Sequence, residues 1–210
     1  MSNLTLAELF SDGVYKNYYG IINDHMFKLI YESLPNDKKI VDPYCPTLVR
    51  EKNGNKIISY GQSSFGYDIR VAPEFKIYSN INSAINDPKK ITNDHFYDIY
   101  KDEVIIPPNS YVLCRSIERF DLPKDVTAIA VGKSTYARAG IIANLTPLEA
   151  GWCGFLTIEL ANCSPLPAKI YANEGICQIL FFKGIPCDIS YEDRKGKYQN
   201  QNASIHLPKL

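Results

Sequence analysis

The sequence predicts a mainly β protein, built as a barrel or a sandwich. From about residue 57, apolar segments become short and rich in Val, Ile, Tyr and Phe, and turn-forming Pro, Gly, Asn and Asp separate them. Two clear turns are the Pro-Pro-Asn-Ser stretch at 107–110 and the Asp-Leu-Pro-Lys-Asp stretch at 121–125. The predicted strands are Tyr67–Val71, Phe75–Tyr78, Val104–Ile106, Tyr111–Ser116, Val126–Val131, Gly154–Leu160, Ala168–Tyr171 and Cys177–Phe182.

The first 42 residues differ in character, and we expect them to form a partly helical N-terminal extension. Apolar residues in Leu4–Phe10 and His25–Leu34 have a spacing compatible with short helices. The charged residues 37–39 and the Asp-Pro step at 42–43 interrupt that pattern. Residues 43–210 would then form the β domain, whose polar tail at 191–210 has, by itself, the composition of a frayed terminus.

Composition narrows the class of protein. At 210 residues and 45% apolar content, the chain can bury the core of one domain. Lys plus Arg and Asp plus Glu number 23 each, and this balance argues against a general nucleic-acid binder. No apolar run reaches membrane-spanning length, and the first ten residues lack the features of a signal peptide. The six cysteines include no C-x-x-C pair, so we expect free thiols in a cytoplasmic protein with no membrane partner.

One candidate site follows the predicted strand Val126–Val131, where the chain reads Gly-Lys-Ser-Thr-Tyr-Ala-Arg-Ala-Gly. A short helix over Ser134–Ala139 would leave free backbone N–H groups at its start, and this end of a helix favours anions. Ser134 and Arg138 would share one face, and the planar guanidinium suits phosphate or carboxylate. The alternative is a structural helix cap and a surface ion pair. A P-loop NTPase is disfavoured, because position 127 carries Thr where the P-loop pattern requires Gly.

A second candidate is Glu159, a carboxylate within an apolar strand. Strand alternation places Phe155, Thr157 and Glu159 on one face, and Leu156, Ile158 and Leu160 on the core face. Glu159 either points into water or lies in a cleft, where partial desolvation would let it exchange protons near neutral pH.

Metal sites have no support in the sequence. The histidines at 25, 95 and 206 are scattered, with no cysteine or carboxylate at ligand spacing. The H-x-E and P-C-x-x-C motifs that hold zinc in nucleobase deaminases are absent. We therefore expect a protein framework without zinc or another resident metal.

Several ordered blocks of sequence carry a resemblance to a known family. They are Ser63–Arg70, Val131–Arg138, Asn144–Glu149, Gly151–Trp152, Leu156–Glu159, Pro165–Phe182 and Lys195–Gln201. In this order they closely resemble dCTP deaminase, in the dUTPase-like superfamily, over roughly residues 43–210.

The resemblance implies a distorted β-barrel of the dUTPase-like (β-clip) type with short helices, assembled as a homotrimer with active sites at subunit interfaces. The implied reaction converts dCTP and water to dUTP and ammonia without zinc, in the synthesis of dUMP and dTTP. Mg²⁺ would accompany the triphosphate, and dTTP would act as an inhibitor.

The resemblance also assigns roles to residues. Glu159 would activate water and shuttle protons, while Ser134 and Arg138 would arrange water and ligand. Thr157 and Ile158 would line the base pocket, and Gln178 would approach the nucleotide. The residues expected at the phosphates are Lys133, Ser134, Thr135, Tyr136, Ala137 and Arg138. Tyr191, Lys197 and Gln201 would close over the triphosphate, so the tail becomes a predicted lid.

Three positions depart from the family pattern. Thr135 replaces a common serine and keeps a hydroxyl, and Cys153 replaces a charged residue. Glu149 stands near an aspartate that directs water onto the α-phosphate in dUTPases, and it could mimic that residue or orient Trp152.

These departures keep alternatives open: a dUTPase, a bifunctional deaminase and dUTP diphosphatase, or a non-catalytic nucleotide-binding protein. The ending Lys195–Gln201 favours the deaminase over the glycine-rich ending of dedicated dUTPases. Intact Ser134, Arg138 and Glu159 argue against a non-catalytic protein.

Overall fold

A computed structural model describes residues 6, 17–79 and 85–210. Its strands are β1 Gly20–Ile21, β2 Val41–Asp42, β3 Val49–Lys52, β4 Asn55–Gln62, β5 Tyr67–Tyr78, β6 Phe96–Tyr100, β7 Glu103–Ile106, β8 Ser110–Asp121, β9 Val126–Gly132, β10 Ile141–Asn144, β11 Cys153–Asn162, β12 Ala168–Tyr171 and β13 Gly175–Lys183. Its α-helices are α1 Asp24–Ser33 and α2 Ser134–Ala137, and short 3-10 turns lie at Asn36–Lys38 and Asn93–His95. The predicted mainly β class is confirmed.

The strands form one large antiparallel sheet that curls into a half-barrel. Its central order is β1-β13-β5-β8-β11-β10, and β9 pairs with β13. Strands β4 and β6 pair with β5, β3 pairs with β4, and β2 pairs with β8. Strands β7 and β12 form a separate two-stranded sheet.

The predicted strands are present, and several are longer than predicted. Strand β12 has the predicted bounds, Ala168–Tyr171. Two predicted strands, Tyr67–Val71 and Phe75–Tyr78, join into β5. The pairing of β5 with β8 shifts register between Val71 and Phe75, where Pro73 lacks the N–H that a regular ladder requires.

The core lies inside the curl of the sheet. Leu156, Ile158 and Leu160 of β11 are buried there, as the alternation predicted. Phe181 of β13 is fully buried, and its ring lies 6.5 Å from that of Phe120. Burial of such side chains is the main favourable contribution to folding.

Helix α1 packs into the same core. The Asn23 side chain caps it by accepting a hydrogen bond from the backbone N–H of Met26. Its face formed by Met26, Phe27 and Ile30 is buried, and the Phe27 ring lies 5.1 Å from that of Phe181. The predicted helix His25–Leu34 is therefore confirmed, with bounds one residue earlier.

The other predicted helix, Leu4–Phe10, lies outside the described residues except for Leu6. Leu6 is fully buried, and its backbone N–H donates to Asp125 Oδ1 at 2.9 Å. The division of the chain at residue 42 stays a prediction, although α1 and the sheet share one core. No α-helix in the described parts of the chain is both long and apolar enough to cross a membrane.

Candidate active site

A cavity of about 770 Å³ lies over the outer face of β11. It is lined by strands β5, β8, β10 and β11, by the loop before β11 and by the C-terminal tail. Its aromatic lining residues are Tyr78, Tyr111, Trp152, Tyr191 and Tyr198. Its charged lining residues are Glu149, Glu159 and Lys197.

Glu159 stands on the wall of this cavity, on the face of β11 opposite the core. Burial raises the pKa of its carboxyl from the ordinary value of 4.5 to about 7, although a backbone hydrogen bond acts in the opposite direction. A carboxyl with this pKa can both accept and release a proton near neutral pH. The structure thus favours the cleft position of Glu159 over the water-facing alternative.

The C-terminal tail, residues 191–210, lies over the cavity and is hydrogen-bonded to the rest of the chain. The indole N–H of Trp152 donates to the carbonyl of Tyr198 at 2.8 Å. Beside it, the N–H of Asn200 donates to the carbonyl of Cys153, and the N–H of Phe155 donates to the carbonyl of Gln201. These bonds hold the tail along the first residues of β11.

The tail residues expected at the triphosphate face the cavity, since Tyr191, Lys197 and Gln201 all line it. The Tyr191 hydroxyl accepts a hydrogen bond from the backbone N–H of Tyr198. Lys197 Nζ donates to the carbonyl of Lys209, which draws the end of the chain across the tail. The tail therefore has the position of a closed lid.

The segment Lys133–Arg138 lies outside this cavity. Strand β9 ends at Gly132 and α2 begins at Ser134, as predicted, with Lys133 as N-cap and Arg138 as C-cap. The exposed residues of the segment are Ser134, Thr135, Ala137 and Arg138.

Two members of this segment have partners within the chain. Lys133 forms an ion pair with the buried Asp68. Tyr136 is buried, and its hydroxyl accepts a hydrogen bond from the backbone N–H of Tyr171. The Tyr136 side chain therefore belongs to the core.

The remaining predicted positions divide between the cavity and its surroundings. Thr157 lines the cavity, and its hydroxyl accepts a hydrogen bond from the backbone N–H of His206. Ile158 is fully buried on the core face of β11 and does not line the cavity. Gln178 lies on β13, where its amide donates to the hydroxyl of Ser63 at 3.1 Å.

The three departures from the family pattern have definite surroundings. Glu149 lines the cavity and pairs with Arg194 of the tail at 3.4 Å, so both of its proposed roles stay open. Cys153 is buried, and the Arg119 guanidinium donates to its sulfur. Burial raises the pKa of the Cys153 thiol to about 11, so a neutral thiol occupies this position.

Sequence reasoning missed Tyr111, Asn144 and His206, which line the cavity. The signal for Tyr111 and Asn144 is strand register, because both lie on strands that pair directly with β11. Among residues 6, 17–79 and 85–210, no group of three or more His, Cys, Asp or Glu side chains is arranged to hold a metal ion.

Comparison with known proteins identifies the family. A family model described as dCTP deaminase-like matches residues 36–184. A dCTP deaminase of Acidobacterium capsulatum is 58% identical over 174 residues, covering 82% of this chain and 92% of that protein. A dCTP deaminase of Dichelobacter nodosus is 52% identical over 187 residues, covering 84% of this chain and 99% of that protein.

The fold agrees with this sequence relationship. The crystal structure of 2′-deoxycytidine 5′-triphosphate deaminase from Agrobacterium tumefaciens superposes with a TM-score of 0.55. That match has 18% sequence identity and covers 79% of this chain and 47% of the other. The chain belongs to the dCTP deaminase family.

Proposed function

We propose that this protein hydrolyses dCTP to dUTP and ammonia, with Glu159 as the group that moves protons. The observation that carries the proposal is a carboxyl with a pKa of about 7 on the wall of a 770 Å³ cavity. Membership of the dCTP deaminase family supports dCTP as the substrate.

The chemistry requires one group that acts first as a base and then as an acid. Ionised Glu159 accepts a proton from water while the water oxygen bonds to C4 of cytosine. The carboxylic acid gives this proton to N3. Glu159 then takes the proton of the new C4 hydroxyl and delivers it to the exocyclic nitrogen. The C4–N bond breaks, the C4 carbonyl forms, and ammonia leaves. A pKa near neutrality suits both directions of proton transfer.

Each active site would combine the cavity around Glu159 in one chain with Ser134 and Arg138 of a neighbouring chain in a homotrimer. Ser134 and Arg138 are exposed and outside the cavity of their own chain, which supports a role toward a neighbour. Arg138 would meet ligand oxygens through its planar guanidinium, and Lys197 would add charge from the lid. Mg²⁺ would enter as part of the substrate, bound to the triphosphate, with no zinc in the protein. The shared deoxyribose and triphosphate would let dTTP compete for the site.

Product analysis tests the reaction. The purified protein is incubated with dCTP and Mg²⁺, and dUTP, dUMP and ammonia are resolved over time. We expect dUTP and ammonia in equal amounts, and Glu159→Gln should remove the activity without unfolding the chain. Formation of dUMP and pyrophosphate would show the bifunctional alternative, and absence of any turnover of dCTP would overturn the proposal.

Mixed oligomers test the shared site. Glu159→Gln and Arg138→Ala chains are each expected to be inactive, and they are mixed by refolding or co-expression. If each site takes Glu159 from one chain and Arg138 from the next, an equimolar random mixture should regain about one quarter of the wild-type activity. The reason is that about one site in four combines an intact Glu159 with an intact Arg138. Chains that carry both substitutions are the control and regain none. Failure of the two single variants to complement would place both residues in a site within one chain.

A further inference from the structure

Two lysines of the C-terminal tail lie over one aromatic ring at the edge of the cavity. Nζ of Lys197 is 5.3 Å from the centroid of the Tyr198 ring, and Nζ of Lys209 is 5.8 Å from it. At these distances a cation is attracted to the face of an aromatic ring. Lys197 and Tyr198 line the cavity, and so does Pro208, the residue before Lys209. Both ammonium groups therefore belong to the rim of the cavity.

Hydrogen bonds hold the two lysines together as a pair. Nζ of Lys197 donates to the carbonyl of Lys209 at 2.6 Å, and Nζ of Lys209 donates to the carbonyl of Lys197 at 3.2 Å. The backbone N–H of Lys209 also donates to the Tyr198 hydroxyl at 3.0 Å. Tyr198 is fixed in turn, because its carbonyl accepts from the indole of Trp152 and its N–H donates to the Tyr191 hydroxyl. The lysine pair is thus in place before any ligand arrives.

The positive charge of the lysine pair is not matched by a carboxylate. The described residues of the tail form two ion pairs, which use Asp193 and Arg194. Neither Lys197 nor Lys209 takes part in an ion pair with any residue that the structure describes. An ammonium group has more N–H donors than the one bond that each lysine makes here. The remaining donors can meet an acceptor that comes from outside the chain.

The lysine pair also marks the end of the cavity that favours negative charge. Among the described residues, Lys197 is the only lysine or arginine that lines the cavity. Glu159, by contrast, stands on the wall formed by β11. A ligand whose ring meets Glu159 would therefore extend its anionic part toward the tail, where Lys209 adds a second positive charge.

We propose that Lys197 and Lys209 together form an anion subsite for the terminal phosphates of the nucleotide, with Lys209 as a further binding residue. This inference rests on the proposed function and extends it, because the family resemblance assigned a role to Lys197 alone. Phosphate oxygens that lie between two ammonium groups replace their mutual repulsion with attraction. Since both lysines belong to the tail, the same phosphates hold the tail closed over the cavity.

Steady-state kinetics with dCTP test the subsite. Lys209→Met keeps an unbranched side chain and removes the charge, so KM for dCTP should rise about tenfold. The value of kcat should change little, because the lost contact does not touch the reacting atoms. Lys209→Arg restores the charge and should recover most of the wild-type KM. The difference between Lys209→Met and the wild type should shrink at high salt, which screens exposed charges.

The matched control is Lys169→Met. Nζ of Lys169 likewise lies 5.8 Å from the centroid of a tyrosine ring, that of Tyr171, but it pairs with Glu103 at 2.9 Å. Lys169 does not line the cavity, so this variant should leave KM for dCTP unchanged. An equal rise of KM in Lys169→Met, or an unchanged KM in Lys209→Met, would overturn the proposal.

Binding of inorganic tripolyphosphate separates a phosphate contact from a structural role of Lys209. The chain has one tryptophan, and the bond from Trp152 to Tyr198 makes its fluorescence responsive to the position of the tail. We expect Lys209→Met to bind tripolyphosphate about tenfold more weakly and Lys209→Arg to bind it nearly as the wild type does. The emission without ligand should be the same in all three proteins. Weaker binding in both variants with altered emission would show that Lys209 only supports the tail, and no binding to the wild type would also overturn the subsite.

The subsite and the proposed reaction can fail separately. If loss of the Lys209 charge weakens tripolyphosphate binding while the wild type fails to deaminate dCTP, the subsite stands and the proposed function fails. If the wild type deaminates dCTP and Lys209→Met has the wild-type KM, the proposed function stands and the subsite fails.

Discussion

The substitution Gly154→Ala should release the C-terminal tail from β11. Gly154 has a φ of +147°, which favours glycine, and it pairs with Gln201 in a parallel bridge. A Cβ added here would lie 2.7 Å from the backbone nitrogen of Gln201 and 3.1 Å from its carbonyl oxygen. Both contacts are with backbone, so the tail must move away from the strand.

The free energy lost when the tail is displaced can be worked out from the hydrogen bonds on either side of the bridge between Gly154 and Gln201. Displacement breaks the bond from Phe155 N to the carbonyl of Gln201 at 3.1 Å and the bond from Asn200 N to the carbonyl of Cys153 at 2.8 Å. At about 0.5–1.5 kcal/mol for each bond, the docked tail loses about 1–3 kcal/mol, a factor of roughly 5–150 in the docking equilibrium. The rest of the fold keeps its core, so the variant should remain folded.

Two measurements check this prediction. Trypsin should cut after Arg194, Lys195 or Lys197 roughly 5- to 150-fold faster in Gly154→Ala, and KM for dCTP should rise by about the same factor. Gly184→Ala is the control, because an added Cβ at Gly184 has no heavy atom within 4 Å. Unchanged tail cleavage together with an unchanged KM in Gly154→Ala would refute the reasoning.

Three further variants test other contacts. The pKa of the Glu159 carboxyl is 4.5 in the unfolded chain and about 7 in the folded chain. The contribution of this carboxyl to the stability of the folded state is therefore complete below pH 4.5 and is lost as the pH rises through 7. Urea unfolding should therefore show Glu159→Gln equal to wild type at pH 4 and more stable by up to about 3 kcal/mol at pH 8; equality at pH 8 would contradict this. Lys133→Met leaves the carboxylate of Asp68 buried without its ion pair and should cost about 3–5 kcal/mol in the same assay, with much of the loss recovered by adding Asp68→Asn; no recovery would mean that the pairing is unimportant. Trp152→Phe removes the indole N–H bonded to Tyr198 and should raise KM for dCTP by about tenfold with little change in global stability; an unchanged KM would show that this bond does not hold the tail.

The fold was predictable where one strand face is apolar. Strands β11 and β13 alternate buried and partly exposed residues, and the sequence displays that period directly. Strands β3, β4 and β6 were not predicted, because β3 reads Val-Arg-Glu-Lys, β4 begins with Asn-Lys, and most of β6 is exposed. Their positions are set by pairing with neighbours, which a local pattern does not record.

The site was predictable in part. Family resemblance placed Glu159, Thr157 and three tail residues, and the structure gathers these five around one cavity. The functional roles of all the predicted residues stay predictions, and Lys133–Arg138, Ile158 and Gln178 lie outside this cavity. The ion pair of Lys133 joins residues 65 positions apart, and such partners follow from the topology of the sheet. The position of Tyr111 beside Glu159 likewise requires the register of β8 against β11.

Helix α1 lies outside the segment that the family model matches, but it packs into the hydrophobic core of that segment. The family model begins at residue 36, after the helix has ended. Yet Phe27 of α1 is 1% exposed and stacks against Tyr44 and Tyr67, both of which follow that boundary. A chain trimmed to residues 36–184 would open the aromatic interior to water and lose the burial of Phe27, about 1.5–3 kcal/mol for that side chain alone. The segment that the family model matches is therefore shorter than the part of the chain that packs around one core.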